Sequence, residues 1–357
     1  MAPRRSLSLL DALAQVAPGK ALREGVDRIL QAGMGGLIVV GDGPEVLNIC
    51  SGGFLLDAAY SPQRLSELAK MDGATILAAD ASRIARANVH LVPNPSVATS
   101  ETGTRHRTAE RVARSINVPV LTISQRMNLI SVYVGDEKHQ IESIPRVVNR
   151  ANQALQTLER YRSRLDADSS SLATLEIEDF VTVRDVVNVL QRAEGVERIA
   201  EEIEGYIVEL GVEGRLVRLQ LVELLGGLEL DRLRVVRDYV NEAAGHSLVE
   251  TLDALSSLST EELIDPAAIT RALGLTGSAA AADAALEPRG YRLLSRIPRL
   301  PDAVIDQIVE HFGSLQKIMR ATIADLDAVE GVGRVRAVAI KDGLGRLAES
   351  SILDRYS

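Results

Sequence analysis

Gly36-Leu37-Ile38-Val39-Val40-Gly41 is a short, unbroken apolar run closed by a glycine at each end. Side chains alternate across a strand, so a run with no polar position suits a strand covered on both faces. The flanking sequence alternates between helical and strand patterns. Residues 21–31 carry Leu22, Val26, Ile29 and Leu30 at helical spacing. Residues 46–49 read as a second strand. Residues 63–69 read as a helix capped by Ser61, with Pro62 at its first position. Residues 74–79 and 89–92 read as strands, 108–116 as a helix, and 118–124 and 129–134 as strands. Short apolar strands interleaved with helices predict an α/β domain with a mixed central sheet flanked by helices.

After Pro145 the pattern becomes helical. Residues 147–165 form one helix-period segment, 167–172 a polar break, and 176–273 a Leu-, Val- and Glu-rich helical region. Gly195, Gly211, Gly226-Gly227 and Gly245 punctuate that region, and no fixed-period repeat runs through it. The small, low-complexity stretch 276–285 suits a flexible connection. A last helical unit begins near Gly290. The expected domains are 1–145 (α/β), 146–286 (an all-α linker and oligomerisation domain) and 287–357 (small and all-α). The charge run 194–204 is expected to be a solvated helix face.

Composition narrows the function. The chain has 357 residues with no Trp, three Phe and seven Tyr. Cores must be Leu, Val, Ile and Ala, and aromatic stacking cannot be the main way of holding bases. Cys50 is the only cysteine, which rules out an intrachain disulfide or a cysteine zinc site and fits a reducing cytoplasm. No apolar run reaches about 18 residues, so no membrane span is expected. The basic N-terminus leads into an expected amphipathic helix, not a secretory signal.

Net charge is −9 but uneven. Residues 1–149 hold 16 Lys and Arg against 14 Asp and Glu, net +2; residues 150–286 hold 13 against 25, net −12; residues 287–357 hold 11 against 10, net +1. The acidity lies in the middle, leaving both ends free to meet phosphates.

Two segments carry candidate chemistry. Gly103-Thr104-Arg105-His106-Arg107-Thr108 sets two guanidiniums and an imidazole just ahead of a helix-like run. Guanidinium forks match phosphate oxygens, Thr104 and Thr108 add hydroxyls, and a helix start at Thr108 would aim amides at an anion. Met71-Asp72-Gly73-Ala74 offers one carboxylate on a glycine turn. One carboxylate suffices for Mg²⁺ when phosphates and waters complete the octahedron. Alone, an Arg-x-Arg is a solvated turn and an Asp-Gly is a turn dipeptide; together they suggest a site for a nucleoside triphosphate and its metal. Gly35-Gly36 and Gly52-Gly53 are either turns or places where backbone approaches a ligand. No P-loop is present. His90, His139, His246 and His311 are scattered without metal-ligand spacing.

At the far end, Val329-Glu330-Gly331-Val332-Gly333 lies between helical runs. Such a turn points amides outward as an anion nest at a helix N-terminus, gripping a DNA phosphate without reading sequence. Arg334, Arg336 and Lys341 add charge. Ile297-Pro298-Arg299-Leu300-Pro301 stands where a first, degenerate hairpin would fall, with proline in place of glycine.

The Asp72-Gly73-Ala74 and Gly103–Arg107 motifs, in this order and separation, resemble the hallmarks of the diadenylate cyclase domain. With the helical middle and the C-terminal hairpin, the whole chain resembles the DNA integrity scanning (DisA) family. The resemblance implies two ATP molecules held face to face by two cyclase domains, condensed to cyclic di-AMP with loss of two pyrophosphates. It implies Mg²⁺ or Mn²⁺ on Asp72, which also helps prepare the 3′-hydroxyl. It implies phosphate contacts from Arg105 and Arg107, His106 near phosphate or metal, a hydrogen bond from Thr104, and close backbone approach at Gly73. Asn88 to Pro93 resembles the adenine-contacting strand, with Leu91 offering backbone and His90 standing where the family commonly has Gln. Ser124 matches a position near the phosphates. The resemblance further implies an octamer and branched or double-stranded DNA that lowers synthesis without sequence specificity. The rival reading is a DNA-binding repair scaffold whose N-terminal domain senses ATP without turning it over.

Overall fold

The computed structural model describes residues 7–275 and 282–354. Residues 1–6 of the expected amphipathic start and 276–281 of the expected flexible connection lie outside them. In order, the first elements are α1 (Leu7–Gln15), α2 (Ala21–Gln31), β1 (Gly36–Val40), α3 (Pro44–Asn48), β2 (Cys50–Ser51), β3 (Phe54–Ala59), α4 (Pro62–Leu68), β4 (Ala74–Leu77) and β5 (Arg83–Leu91). Next come α5 (Thr104–Ile116), β6 (Val120–Ser124), β7 (Leu129–Val134) and β8 (Glu137–Ile141).

The eight strands form one mixed sheet in the order β2-β5-β4-β1-β6-β7-β8, with β3 also paired to β5. β1 runs parallel to β4 and antiparallel to β6. Both faces are covered, as the apolar run of β1 requires. Ile38 and Val40 pack with Leu13, Val26, Ile29 and Leu65 of α1, α2 and α4. Val39 packs on the opposite face with Val112 and Ala113 of α5. Each such buried side chain contributes about 1.5–3 kcal/mol, so a charged residue at Val39 would break the sheet centre. α4 starts as its sequence dictates: the Ser61 hydroxyl accepts from the Arg64 amide, with proline in the first turn.

Three local expectations are corrected. Residues 46–49 are not a strand; Pro44 follows the extended Gly43 and starts the single-turn helix α3, burying Val46. Four apolar residues fit one helical turn as well as a strand, and the proline decides. α5 begins at Thr104 instead of Thr108, with Gly103 as its N-cap. The polar first turn has no apolar period to reveal it. The polar break at 167–172 does not exist. It lies inside α6 (Ile144–Glu178), where the Asp168 carboxylate pairs with Arg192 and Ser169 accepts from Arg292.

The remaining helices are α7 (Val183–Leu210), α8 (Arg215–Leu225), α9 (Leu228–Tyr239), α10 (Leu248–Ser257), α11 (Thr260–Ile264) and α12 (Pro266–Ala272), then α13 (Tyr291–Leu294), α14 (Asp302–Phe312), α15 (Leu315–Arg320), α16 (Ile323–Asp327) and α17 (Gly333–Asp354). The chain forms two compact units. One runs up to Leu155 and takes in Glu201–Leu221; the other comprises Gln156–Ala200 and the chain from Val222 onward. The 194–204 run is not simply a solvated face, because Glu194, in the second unit, is buried and paired with Arg232. Burial raises the Glu194 carboxyl while Arg232 opposes the shift.

Candidate functional site

One end of the sheet gathers most of the predicted nucleotide residues. β1 starts at Gly36 opposite Ile123, near the end of β6, and β4 starts at Ala74 opposite Val89 of β5. Asp72 and Gly73 lead into β4, and Ser124 ends β6. Arg105, on the first turn of α5, reaches this end: its Nη2 donates to Asp72 Oδ1 at 2.7 Å. Arg105 and Asp72 are 33 residues apart in sequence, so the fold joins the two motifs. The Asp72 side chain is 94% exposed and free to meet a ligand.

Two glycines make this approach possible. A side chain at Gly35 would collide with the Arg105 guanidinium, so Gly35 opens the path to Asp72. A methyl at Gly73 would lie 2.5 Å from Cα of Asn88, so only glycine lets β4 begin against that backbone. Gly53 differs: at φ +78 it turns the chain against the Ala87 carbonyl, which is a turn role.

Because α5 begins at Thr104, its unsatisfied amides belong to Thr104, Arg105 and His106, and the Arg107 amide already donates to the Gly103 carbonyl at 2.8 Å. Thr104 and Arg107 are exposed on that turn, while Thr108 is half-buried one turn in. His106 points inward. Its Nδ1 lies 2.8 Å from Tyr133 Oη and 3.1 Å from Thr122 Oγ1. Burial first, then the charges of Lys138 and Arg105 against that of Glu101, lower its pKa, so near neutral pH it is an uncharged imidazole and no phosphate cation.

Three other residues have structural settings. Ala74 is buried in the sheet. Leu91 is buried, with its backbone in register with Cys50. The Ser124 hydroxyl accepts from the Met127 amide at 3.4 Å.

Sequence reading missed the support behind α5. Glu110, only 7% exposed, accepts from the Ser100 amide at 3.0 Å and from the Thr99 and Ser100 hydroxyls. Burial raises its carboxyl, but those donors and Arg114 outweigh it and the net shift is downward. Arg111 and Arg114 donate to the Val97 and Ala98 carbonyls. The loop ahead of the basic turn is thus fixed from the helix it precedes. These residues are individually ordinary, and only the periodicity of α5 hinted that one face turns inward.

The predicted nucleic-acid residues lie in the other unit. Gly331 and Gly333 take left-handed φ of +79 and +61 between α16 and α17. Gly333 opens α17, so its amide and that of Arg334 have no intrahelical acceptor. Val332 is a core residue whose amide donates to the Val329 carbonyl at 3.1 Å. Arg334 is exposed. Arg336 donates to the Gly331 carbonyl and braces the turn, and Lys341 is spent on the Met319 and Ala321 carbonyls. The segment from Ile297 to Pro301 repeats this turn between α13 and α14. Leu300 donates to the Ile297 carbonyl as Val332 does to Val329, and Arg299 adopts φ +64 where Gly331 has +79. Arg299 and Pro301, not prolines alone, stand in the glycine places.

The chain resembles known proteins over most of its length. Residues 23–138 match the family model described as DisA bacterial checkpoint controller nucleotide-binding, and 141–282 match the DisA bacterial checkpoint controller linker region. The DNA integrity scanning protein DisA of Frankia alni is 52% identical over 346 residues, 96% of each chain. That of Acidothermus cellulolyticus is 53% identical over 347 residues, 96% of this chain and 94% of its own. The crystal structure of a DacA double mutant from Staphylococcus aureus aligns with 37% of this chain and 88% of its own, at 22% identity and a TM-score of 0.29, too slight a likeness to argue from.

Proposed function

Because the chain belongs to the DisA bacterial checkpoint controller family, we propose that it condenses two ATP molecules into cyclic di-AMP and two pyrophosphates. The observation that carries this reading is the 2.7 Å contact joining Arg105 to Asp72 at the open end of the sheet. It puts a cation and a carboxylate on one rim, beside the free amides of α5. Phosphoryl transfer asks mainly for such positioning and charge neutralisation.

In this reading Arg105, Arg107, Thr104 and the first-turn amides hold phosphates, helped by Ser124 and the close backbone at Gly103, Gly73 and Ala74. The 3′-hydroxyl of each nucleotide attacks the α-phosphorus of the other, and pyrophosphate leaves. Asp72 would hold the divalent ion, Mg²⁺ or Mn²⁺. Among the described residues no group of three or more His, Cys, Asp or Glu could hold a metal. A lone, exposed carboxylate fits an ion that brings phosphate and water ligands with it. When bound, the ion stabilises the attacking oxygen and the developing charge. Leu91 would meet adenine through its backbone, with Thr108 behind the phosphate turn.

Each domain holds half a site, so turnover needs a second copy, and we assign an octamer. Strand β3 supports contact between copies: Phe54 is 55% and Leu55 77% exposed on it. The C-terminal hairpins, through Gly331, Gly333 and Arg334, with Val332 and Arg336 holding the turn in place, bind branched or double-stranded DNA without sequence preference and lower synthesis. No described helix is long and apolar enough to cross a membrane, and a cytoplasmic workplace belongs to the same proposal. Synthesis per subunit, followed with light scattering through a dilution series, tests the shared site. It should vanish as the oligomer dissociates; a monomer that still makes cyclic di-AMP contradicts it.

A further inference from the structure

Behind the phosphate turn runs a hydrogen-bonded chain that the reading above leaves unused. Lys138 on β8 pairs with Glu101 Oε1. Tyr133 Oη on β7 lies 3.0 Å from that same oxygen and 2.8 Å from His106 Nδ1. Thr122 Oγ1 is a second oxygen near Nδ1, at 3.1 Å. The polarity of the chain follows from its ends. Burial raises the Glu101 carboxyl, but Lys138 and Tyr133 outweigh that and hold it ionised. A carboxylate only accepts, so the Tyr133 hydroxyl must donate to Glu101. Tyr133 keeps that proton, because burial and then Glu101 push its pKa up. Its oxygen is then an acceptor towards His106, and Nδ1 must carry the hydrogen. The neutral ring is left with an unprotonated Nε2, which is not among the buried unpartnered atoms of the described residues.

We propose that Glu101 and Tyr133 are positioning residues that fix His106 in its Nδ1–H form, so that Nε2 presents an acceptor to a donor on the nucleotide, such as a ribose hydroxyl. This rests on the reading of the α5 turn as the nucleotide site. It gives His106, implied by the resemblance to lie near phosphate or metal, the role of a neutral acceptor of fixed orientation. Glu101→Leu tests the polarity. Because Lys138 and Tyr133 meet the same Glu101 oxygen, a glutamine could still accept from both, whereas leucine removes the acceptor, frees the Tyr133 hydroxyl to donate to Nδ1 and puts the proton on Nε2. Tyr133→Phe keeps the ring in the core but leaves the tautomer unfixed.

Two measurements on the full chain decide it. The first is turnover: Glu101→Leu and Tyr133→Phe should lower kcat roughly tenfold or more with KM for ATP unchanged, the scale on which losing an orienting partner of a functional histidine is felt. In a His106→Gln background neither change should lower kcat further. Losses that persist undiminished in that background, or unchanged turnover in both single variants, overturn the proposal. The second is the nitrogen-15 spectrum of histidine-labelled protein, with His106 assigned by its loss in His106→Gln. It should show a protonated Nδ1 in the native chain and a protonated Nε2 in Glu101→Leu. A native chain protonated at Nε2 overturns the proposal even if synthesis is confirmed. A protonated Nδ1 with no synthesis instead counts against the cyclase reading alone.

Discussion

Gly73→Ala is the sharpest perturbation of the Asp72 turn. The added methyl would lie 2.5 Å from Cα of Asn88 and 2.7 Å from its Oδ1. The obstacle is backbone inside β5, already at φ +55, and cannot swing aside as a long side chain would. Ala74 pairs with Val89 at the next step of the ladder, so the clash must be relieved by moving β4 and the Asp72 turn away from β5. Overpacking of this kind costs about 1–3 kcal/mol. At about 2–4 °C per kcal/mol for a domain of this size, Tm should fall by roughly 2–12 °C. Synthesis should fall further than stability, because Asp72 moves relative to Arg105, and a displacement near 1 Å can cost about a hundredfold in rate. Circular dichroism melting and cyclic di-AMP production from the same preparation measure both. Native Tm with native synthesis would refute the close approach of Asn88 and the role given to Gly73.

Other consequences concern the second unit. The side chains of Glu176 and Arg292 are 1% and 3% exposed, joined at 2.7 and 3.0 Å, with Tyr239 donating to the same carboxylate at 2.7 Å. Glu176→Ala leaves that guanidinium buried and unpaired, and should cost about 3–5 kcal/mol in urea unfolding of this unit; a loss below about 1 kcal/mol would contradict the pairing. Burial, then the charge of Glu176, raises the Asp238 carboxyl to about 7 despite three backbone donors. The folded form therefore keeps this proton to higher pH than the unfolded chain, and its stabilising effect is lost as pH rises from 3.8 towards about 7. Asp238→Asn should lack that component of the slope, and identical slopes in the two proteins would exclude it. Gly333→Leu forces a side chain into a left-handed turn, and Arg334→Glu reverses an exposed charge at the start of α17. Both should weaken DNA retention in gel shifts, most at low salt, with basal synthesis unchanged. Native retention by both variants would remove this turn from the DNA site.

How much was legible in the sequence varied with how local the cause was. α2 and β4 follow from apolar periodicity, and α4 from Ser61 and Pro62. β1 needed only its unbroken apolar run. The start of α5 was hidden because Thr104 to Arg107 carry no apolar side chain that would show a period, even though His106 turns inward. β3 and β8 were missed because neither shows an apolar alternation that marks a buried face: Phe54 and Leu55 are exposed, and β8 is polar up to its last residue, Ile141. The helix through Asp168 and Ser169 depends on Arg192 and Arg292, whose partnership no local pattern reveals. The site divides in the same way. Asp72 and the basic turn were visible as motifs with a chemical purpose. The Glu101, Tyr133 and Lys138 network joins residues 32 and 37 apart, and only the sheet brings them together.

The most direct test of the central claim is product formation. Purified chain, in a confirmed oligomer, is incubated with ATP and Mg²⁺ or Mn²⁺, and the products are identified by chromatography and mass beside Asp72→Asn. The account predicts cyclic di-AMP and pyrophosphate from the native protein, with less than about a tenth of that rate in the variant, since losing the sole metal carboxylate should add several kcal/mol to the barrier. ATP that binds but stays unconverted, or an Asp72→Asn enzyme that keeps its rate, would contradict it.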